Sequence, residues 1–235
     1  MLKIEHLTKQ YGDKKAVDDL TLHIRPGEIY GFIGHNGAGK TTTIKSCAGI
    51  LNFDAGEIFV DGISVRENPL EVKKRIAYIP DNPDIYTFFT GIKYLNFIAD
   101  IYNVGDARAK LIDDYAELFE IKSDLAKPIS EYSHGMKQKI AIISALIHSP
   151  RLLLLDEPFV GLDPKAAHTL KEIMRELCNS GGAIFFSTHV LEVAEKLCDS
   201  IAIIRQGALV TSGKTADVKG DTSLENVFLE LVENV

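Results

Sequence analysis

The chain has no tryptophan and only three cysteines, Cys47, Cys178 and Cys198, far apart and without CxxC spacing. That pattern argues against a zinc ribbon or a disulfide framework; such thiols read as small buried side chains in a reducing compartment. No stretch approaches the run of about 18 apolar residues that spans a bilayer. The most apolar region, 140–155, is interrupted by His148, Pro150 and Arg151, so any membrane-spanning part must come from another chain. Near the N-terminus, Lys3, Glu5, His6 and Lys9 break up any apolar run, and no secretory signal is expected. A basic excess is missing too: 26 Lys and Arg stand against 33 Asp and Glu, a formal net charge of −7. A dedicated nucleic-acid binder usually carries a basic surface, so that class is disfavoured. Internal repeats and low-complexity linkers are absent, and 235 residues suffice for one large α/β domain or two small ones.

What is present begins with Gly34-His35-Asn36-Gly37-Ala38-Gly39-Lys40-Thr41, of the form GxxxxGK[ST]. The apolar run Glu28 to Ile33 before it reads as a buried strand, and Thr41 to Ile50 after it reads as a helix. Glycines let the backbone curl so that successive N–H groups point at a phosphate, and the helix N-terminus adds partial positive charge. Lys40 is expected to reach the β- and γ-phosphates, and the Thr41 hydroxyl to ligate Mg²⁺. A chance lysine in a glycine-rich turn is the simpler reading, but strand, loop and helix in that order favour a nucleoside-triphosphate site.

Around this loop, Leu2 to Leu7 and Leu20 to Ile24 approximately alternate, as half-buried antiparallel strands do. Glu57 to Val60 lies between turn signals, and Arg75 to Ile79 reads as a strand stopped by Pro80. From about Thr90 to His148 the period is helical, with Ile92, Leu95, Ile98 and Tyr102 on one face and Leu111, Tyr115 and Leu118 on another. Strand runs then return at Leu152 to Leu155, Ala183 to Phe186 and Ile201 to Ile204, separated by helical stretches from Lys165 and Val190. That alternation implies a parallel sheet. The expected architecture is therefore α/β, with an N-terminal antiparallel β subdomain. One domain spans 1–235, its core formed by 1–82 and 150–235, and a helical subdomain is inserted at about 83–149.

Leu152 to Leu155 ends in Asp156-Glu157-Pro158, two carboxylates where open parallel sheets bind ligands. Asp156 suits Mg²⁺, directly or through water, and Glu157 suits a proton acceptor for the water that attacks a γ-phosphate. Two solvated turn acids would be the plainer reading; the phosphate loop on the same chain weighs against it. Tyr132-Ser133-His134-Gly135-Met136-Lys137-Gln138 opens an apolar helix, and a Ser hydroxyl with a Gly N–H there makes an anion site or simply an N-cap.

In order, the phosphate loop, this Ser-x-Gly segment, the acidic strand, Gly161-Leu162-Asp163 and Ser187-Thr188-His189 resemble the ATP-binding cassette ATPases of ABC transporters. The resemblance covers essentially the whole chain, and the signature resembles that of bacterial multidrug, antibiotic and bacteriocin exporter ATPases. It implies a P-loop NTPase core and ATP with Mg²⁺. Tyr11 would stack on adenine and Val17 would border base and ribose. Residues Gly34 to Thr41 together with Thr42 would hold the phosphates, and Lys40, Glu157 and His189 would act in catalysis. It further implies a head-to-tail pair, homo- or heterodimeric, in which Ser133, Gly135, Met136 and Asp163 act on the nucleotide of the other copy. A separate transmembrane permease would be the second partner, at the cytoplasmic face of the membrane.

Two departures stand out. His134 and Met136 replace the family's usual Gly and Gln, while Ser133 and Gly135 are kept. Asp81 stands where a Gln commonly meets Mg²⁺, which adds negative charge to the metal site. Ile85 to Thr90 reads as helical-block core or as a groove for a membrane subunit's cytoplasmic helix. A soluble ABC ATPase of translation or DNA repair, an importer ATPase and a non-hydrolysing nucleotide sensor are the competing readings. The single cassette disfavours the first, and the retained Glu157 and His189 disfavour the last.

Overall fold

A computed structural model describes residues 1–232. In chain order its elements are β1 (Leu2–Tyr11), β2 (Lys14–Ile24), β3 (Ile29–Ile33), α1 (Lys40–Cys47), β4 (Ala55–Val60), β5 (Ile63–Ser64), α2 (Pro69–Lys73), β6 (Ile76–Ile79), α3 (Gly91–Ile101), α4 (Arg108–Leu118), α5 (His134–Leu146), β7 (Leu152–Asp156), α6 (Pro164–Asn179), β8 (Ala183–Thr188), α7 (Leu191–Leu197), β9 (Ser200–Arg205), β10 (Ala208–Lys214), α8 (Thr215–Lys219) and α9 (Leu224–Val232). Short 3₁₀ turns at Lys122–Asp124 and Ile129–Glu131 separate α4 from α5.

Two sheets organise these elements. One is antiparallel in the order β2-β1-β4-β5; the other runs β10-β9-β3-β8-β7-β6, parallel except for β10. The fold is α/β of the P-loop NTPase type, with the antiparallel β unit and inserted helices that the sequence pattern implies.

The apolar runs β3, β7 and β8 are buried at every residue, the mark of central parallel strands covered on both faces. Alternate side chains of each strand point to opposite faces. Leu152 and Leu154, with Phe32 and Phe185, join the antiparallel strands and α1 in one core. Leu153 and Leu155, with Ile33 and Phe186, join the helices in a second core. The mainly parallel sheet is thus the shared middle layer, and the C-terminal ends of its strands carry the loops between the two cores.

In the inserted helices Leu95 is buried as expected and Ile98 and Tyr115 pack against the core, but the centre of each buried face is shifted by about one residue. In α4 the buried positions are Ile112 and Ala116, followed by Phe119, while Leu118 is largely exposed. In α3 they are Gly91, Tyr94, Leu95 and Ala99, with Ile92 outward. Small residues set these faces. Ala116 and Ala99 let neighbouring backbones approach, and a Cβ on Gly91 would collide with the Tyr132 hydroxyl. A pattern weighted to large apolar side chains passes over them. Elements after Ile204 have no counterpart in the sequence pattern: β10 alternates between part-buried and exposed residues without a strong apolar face.

Candidate functional site

The phosphate loop joins β3 to α1. Close packing explains its glycines: a Cβ on Gly34 would meet the Ile204 carbonyl oxygen at 2.5 Å, and Gly39 has φ 111° beneath the Ala16 carbonyl. Lys40 opens α1 and is almost wholly buried. Its ammonium donates to the carbonyls of Gly34 at 2.6 Å and His35 at 3.2 Å, curling back over its own loop. Burial lowers the Lys40 pKa, opposed by Glu157 and Asp156, whose negative charges favour the ammonium.

Those two carboxylates end β7. Its parallel register with β8 sets Asp156 opposite Ser187. The Ser187 hydroxyl donates to Asp156 Oδ1 at 2.5 Å and accepts from the Glu157 N–H at 3.1 Å, so one side chain fixes both acids. Glu157 has φ 48°, a left-handed backbone that is uncommon and strained for a residue with a Cβ. Its Oε1 lies 3.7 Å from Lys40 Nζ and 2.9 Å from His189 Nδ1. The Lys40 contact is too long for a hydrogen bond and the His189 contact is not aligned as one, so Oε1 is a buried acceptor without a hydrogen-bond partner. This oxygen is positioned to take a proton.

Loop and acids together line a cavity of about 430 Å³. Of the residues singled out in the sequence, His35, Asn36, Gly37, Gly39, Lys40, Thr41, Thr42, Asp81, Asp156 and Glu157 line it. His189 lies beside it through Glu157, half-exposed. Gly34 and Ala38 support the loop from beneath, Ala38 taking the Gly207 N–H on its carbonyl at 2.9 Å. Tyr11 stands outside the cavity, 52% exposed at the end of β1, with the Lys9 ammonium 5.3 Å from its ring. Val17 is fully buried in the antiparallel core, and strand alternation leaves its neighbour Ala16 at the cavity wall.

Sequence reasoning passed over Lys14, which lines the same cavity. The signal for it is the hairpin register that pairs Lys14 with Tyr11. Ser187, the residue that fixes both acids, was legible only as part of its tripeptide.

Ser133, Gly135, Met136 and Asp163 are absent from the cavity and form a unit of their own. Ser133 caps α5, accepting from the Met136 N–H at 3.3 Å. Asp163 caps α6, accepting from Ala166 N–H at 2.8 Å, and pairs with Lys139 at 2.7 Å. The Lys139 ammonium and the Ala166 N–H hold the Asp163 carboxyl below its usual range. A Cβ on Gly135 would come within 2.8 Å of the Gly161 carbonyl, and one on Gly161 would strike the His134 ring. Two loops far apart in sequence are therefore locked face to face, with Ser133 and His134 exposed.

Comparison with known proteins gives the family and the fold. A family model described as "ABC transporter" matches residues 17–160. An ABC transporter ATP-binding protein of Bacillus subtilis (strain 168), YhaQ, is 39% identical over 97% of this chain and 76% of its own length. The bacitracin transport ATP-binding protein BcrA of Bacillus licheniformis is 37% identical over 89% of this chain and 68% of its own. The linearmycin resistance ATP-binding protein LnrL of Bacillus subtilis (strain 168) is 35% identical over 96% and 74%. Among solved structures, an ATP-binding subunit of an ABC transporter superposes with TM-score 0.94 at 33% identity, covering 98% of this chain and 99% of that one. A dimeric ATP-binding cassette bound to ADP and Pi shares the fold, with TM-score 0.83 at 22% identity over 92% and 99%.

Proposed function

The chain belongs to the ABC transporter family as an ATP-binding ATPase subunit, and on that premise we propose that it drives export across a membrane by ATP-dependent head-to-tail dimerisation. The observation that carries this reading is the division of the site: the cavity gathers the phosphate loop, Lys40 and Glu157, while Ser133 sits exposed, with Gly135 half-buried beside it, on a separate unit. One subunit supplies the loop and acids, and the other supplies the Ser hydroxyl and helix N-terminus that grip the γ-phosphate. The dimeric relative in fold, and the relatives named for bacitracin transport and linearmycin resistance, support it.

With ATP as substrate, the triphosphate replaces the carbonyls that hold Lys40, and the loop N–H groups and Lys40 stabilise the charge that develops during transfer. Glu157 Oε1 accepts the proton of the attacking water, and His189, its Nδ1 2.9 Å from that carboxylate oxygen, contacts the γ-phosphate and orients the water. Tyr11, exposed and paired in the hairpin with the cavity residue Lys14, stacks on adenine, and Asp163 links the two sites. The described residues contain no cluster of three His, Cys, Asp or Glu side chains able to cage a metal. Mg²⁺ fits this donor set, because it is usually held by one or two carboxylates plus substrate phosphates and water. Thr41, Asp156 and Asp81 would hold it, and its chemistry there is neutralisation of phosphate charge.

The divided site makes turnover depend on pairing. ATP hydrolysis per subunit is expected to rise with protein concentration in the range where dimers form. An activity strictly proportional to concentration, down to dilutions at which the protein is monomeric, would refute the composite site.

Among the described residues no helix is long and apolar enough to cross a membrane. The proposed partner is a separate permease, with this subunit at its cytoplasmic face. The segment after Asp81 divides. Ile85 and part of Phe89 enter the helical core, whereas Tyr86 and Phe88 are 51% and 77% exposed. Tyr86, Phe88 and Phe97 form one exposed ring cluster, Tyr86 lying 5.6 Å from Phe88 and 6.0 Å from Phe97. An aromatic patch of this kind marks a partner surface. A Tyr86→Cys variant is expected to crosslink to the cytoplasmic helix of the membrane subunit. Absence of any such crosslink with ATP, with ADP and without nucleotide would remove this surface from the coupling role.

A further inference from the structure

The C-terminal helix touches the nucleotide site from behind. Leu224 and Phe228, one turn apart on α9, are buried on a single face. The Phe228 ring meets the His35 imidazole edge-on, with centroids 4.9 Å apart and planes at 67°. His35 is the second residue of the phosphate loop and part of the cavity wall.

The start of α9 is tied elsewhere. The Leu224 N–H donates to Glu195 Oε2 at 3.0 Å, and Glu195 Oε1 takes the Lys219 ammonium at 2.6 Å. Glu195 lies on α7, the helix that begins just after His189. One short helix therefore bridges the phosphate loop and the helix behind His189. The loop backbone does not need this contact, being closed by Ala38 N–H to His35 carbonyl at 3.1 Å and Gly207 N–H to Ala38 carbonyl at 2.9 Å. What Phe228 fixes is the exposed His35 side chain, which otherwise has free rotamers to lose when nucleotide arrives.

We propose that α9 is linked to the nucleotide through Phe228, which positions His35 in the cavity wall, so that nucleotide binding and helix docking stabilise one another. The inference rests on the ATP site described above. Linkage makes the effect reciprocal: what α9 does for nucleotide affinity, nucleotide does for α9.

The test uses the full chain with ATP, reading affinity by equilibrium titration and the amide exchange of residues 224–232 with and without nucleotide. In the unsubstituted protein, ATP is expected to slow exchange in α9. Phe228→Leu keeps an apolar side chain in place but removes the ring contact. It is expected to weaken ATP binding about three- to tenfold, the range of an aromatic pair, and to abolish the ATP-induced protection while the melting curve stays cooperative. Phe228→Ala should do the same, and His35→Ala combined with Phe228→Leu should be no weaker than His35→Ala alone.

An unchanged affinity in Phe228→Leu, protection in α9 that ignores ATP, or additive losses in the double variant would each overturn the proposal. Loss of ATP binding in Lys40→Ala separates the two readings. If the unsubstituted protein binds ATP through Lys40 and Phe228→Leu behaves identically to it, the linkage fails and the ATP site stands.

Discussion

Glu157→Gln is expected to lower ATP turnover by about 10²- to 10³-fold, within the range that a positioned general base contributes, while ATP binding persists. The amide is nearly isosteric with the carboxylate, so the left-handed backbone at φ 48° and the N–H bond to Ser187 are kept. It loses proton affinity and the negative charge set 3.7 Å from Lys40 and 2.9 Å from His189. Removing an anion beside a triphosphate relieves repulsion, so affinity for ATP should hold or improve. The variant is expected to accumulate as an ATP-bound dimer in size-exclusion chromatography. Near-normal turnover in single-cycle assays would take Glu157 out of the proton-accepting role and leave the chemistry to water and Lys40.

Ser133→Arg is expected to spare nucleotide binding by the monomer and to block ATP-driven dimerisation. Ser133 is outside the cavity that holds Lys40, so nothing in the monomer's own site changes. A hydrogen bond to a charged group is worth about 1.5–3 kcal/mol. A symmetric dimer loses two, so the dimer constant should fall roughly 10²- to 10⁴-fold. Loss of the α5 cap complicates the arginine variant, because Ser133 accepts the Met136 N–H. Ser133→Asp separates the effects: aspartate caps a helix as well as serine does, yet sets an anion against the γ-phosphate. Both variants should remain monomeric with ATP. Dimers persisting in either one, measured by light scattering with the Glu157→Gln background to hold ATP, would defeat the cross-subunit arrangement.

Much of the fold was legible because its signals are local. Buried parallel strands announce themselves as unbroken apolar runs, and β3, β7 and β8 were readable to within a residue or two at their starts. The helices of the insertion were readable as helices and only partly in orientation: Leu95 is buried as expected, but the centres of the buried faces are set by Gly91, Ala99 and Ala116. Small side chains carry little hydrophobic signal and matter only once a neighbour packs on them. The phosphate loop and the acidic strand end were legible for the same local reason: curling glycines, a lysine at a helix start and acids at a strand end are written in consecutive residues. Lys14 and Ala16 were not, because the side of the hairpin that faces the cavity depends on the irregular register between β1 and β2.

The sequence by itself determined the family, an ATP-binding ABC ATPase, and singled out the loop proposed to hold the phosphates, since a backbone cradle is built by adjacent residues. Only the tertiary structure decided who meets whom. The parallel register of β7 and β8 brings Ser187 to both acids and His189 to Glu157. The packing of Gly135 on Gly161 holds Ser133 and Asp163 together and away from the cavity. Phe228 reaches the phosphate loop because α9 packs on α7, its Leu224 N–H bonded to Glu195. These contacts join residues distant in sequence, and no periodicity within a segment encodes the register or the close approach that makes them.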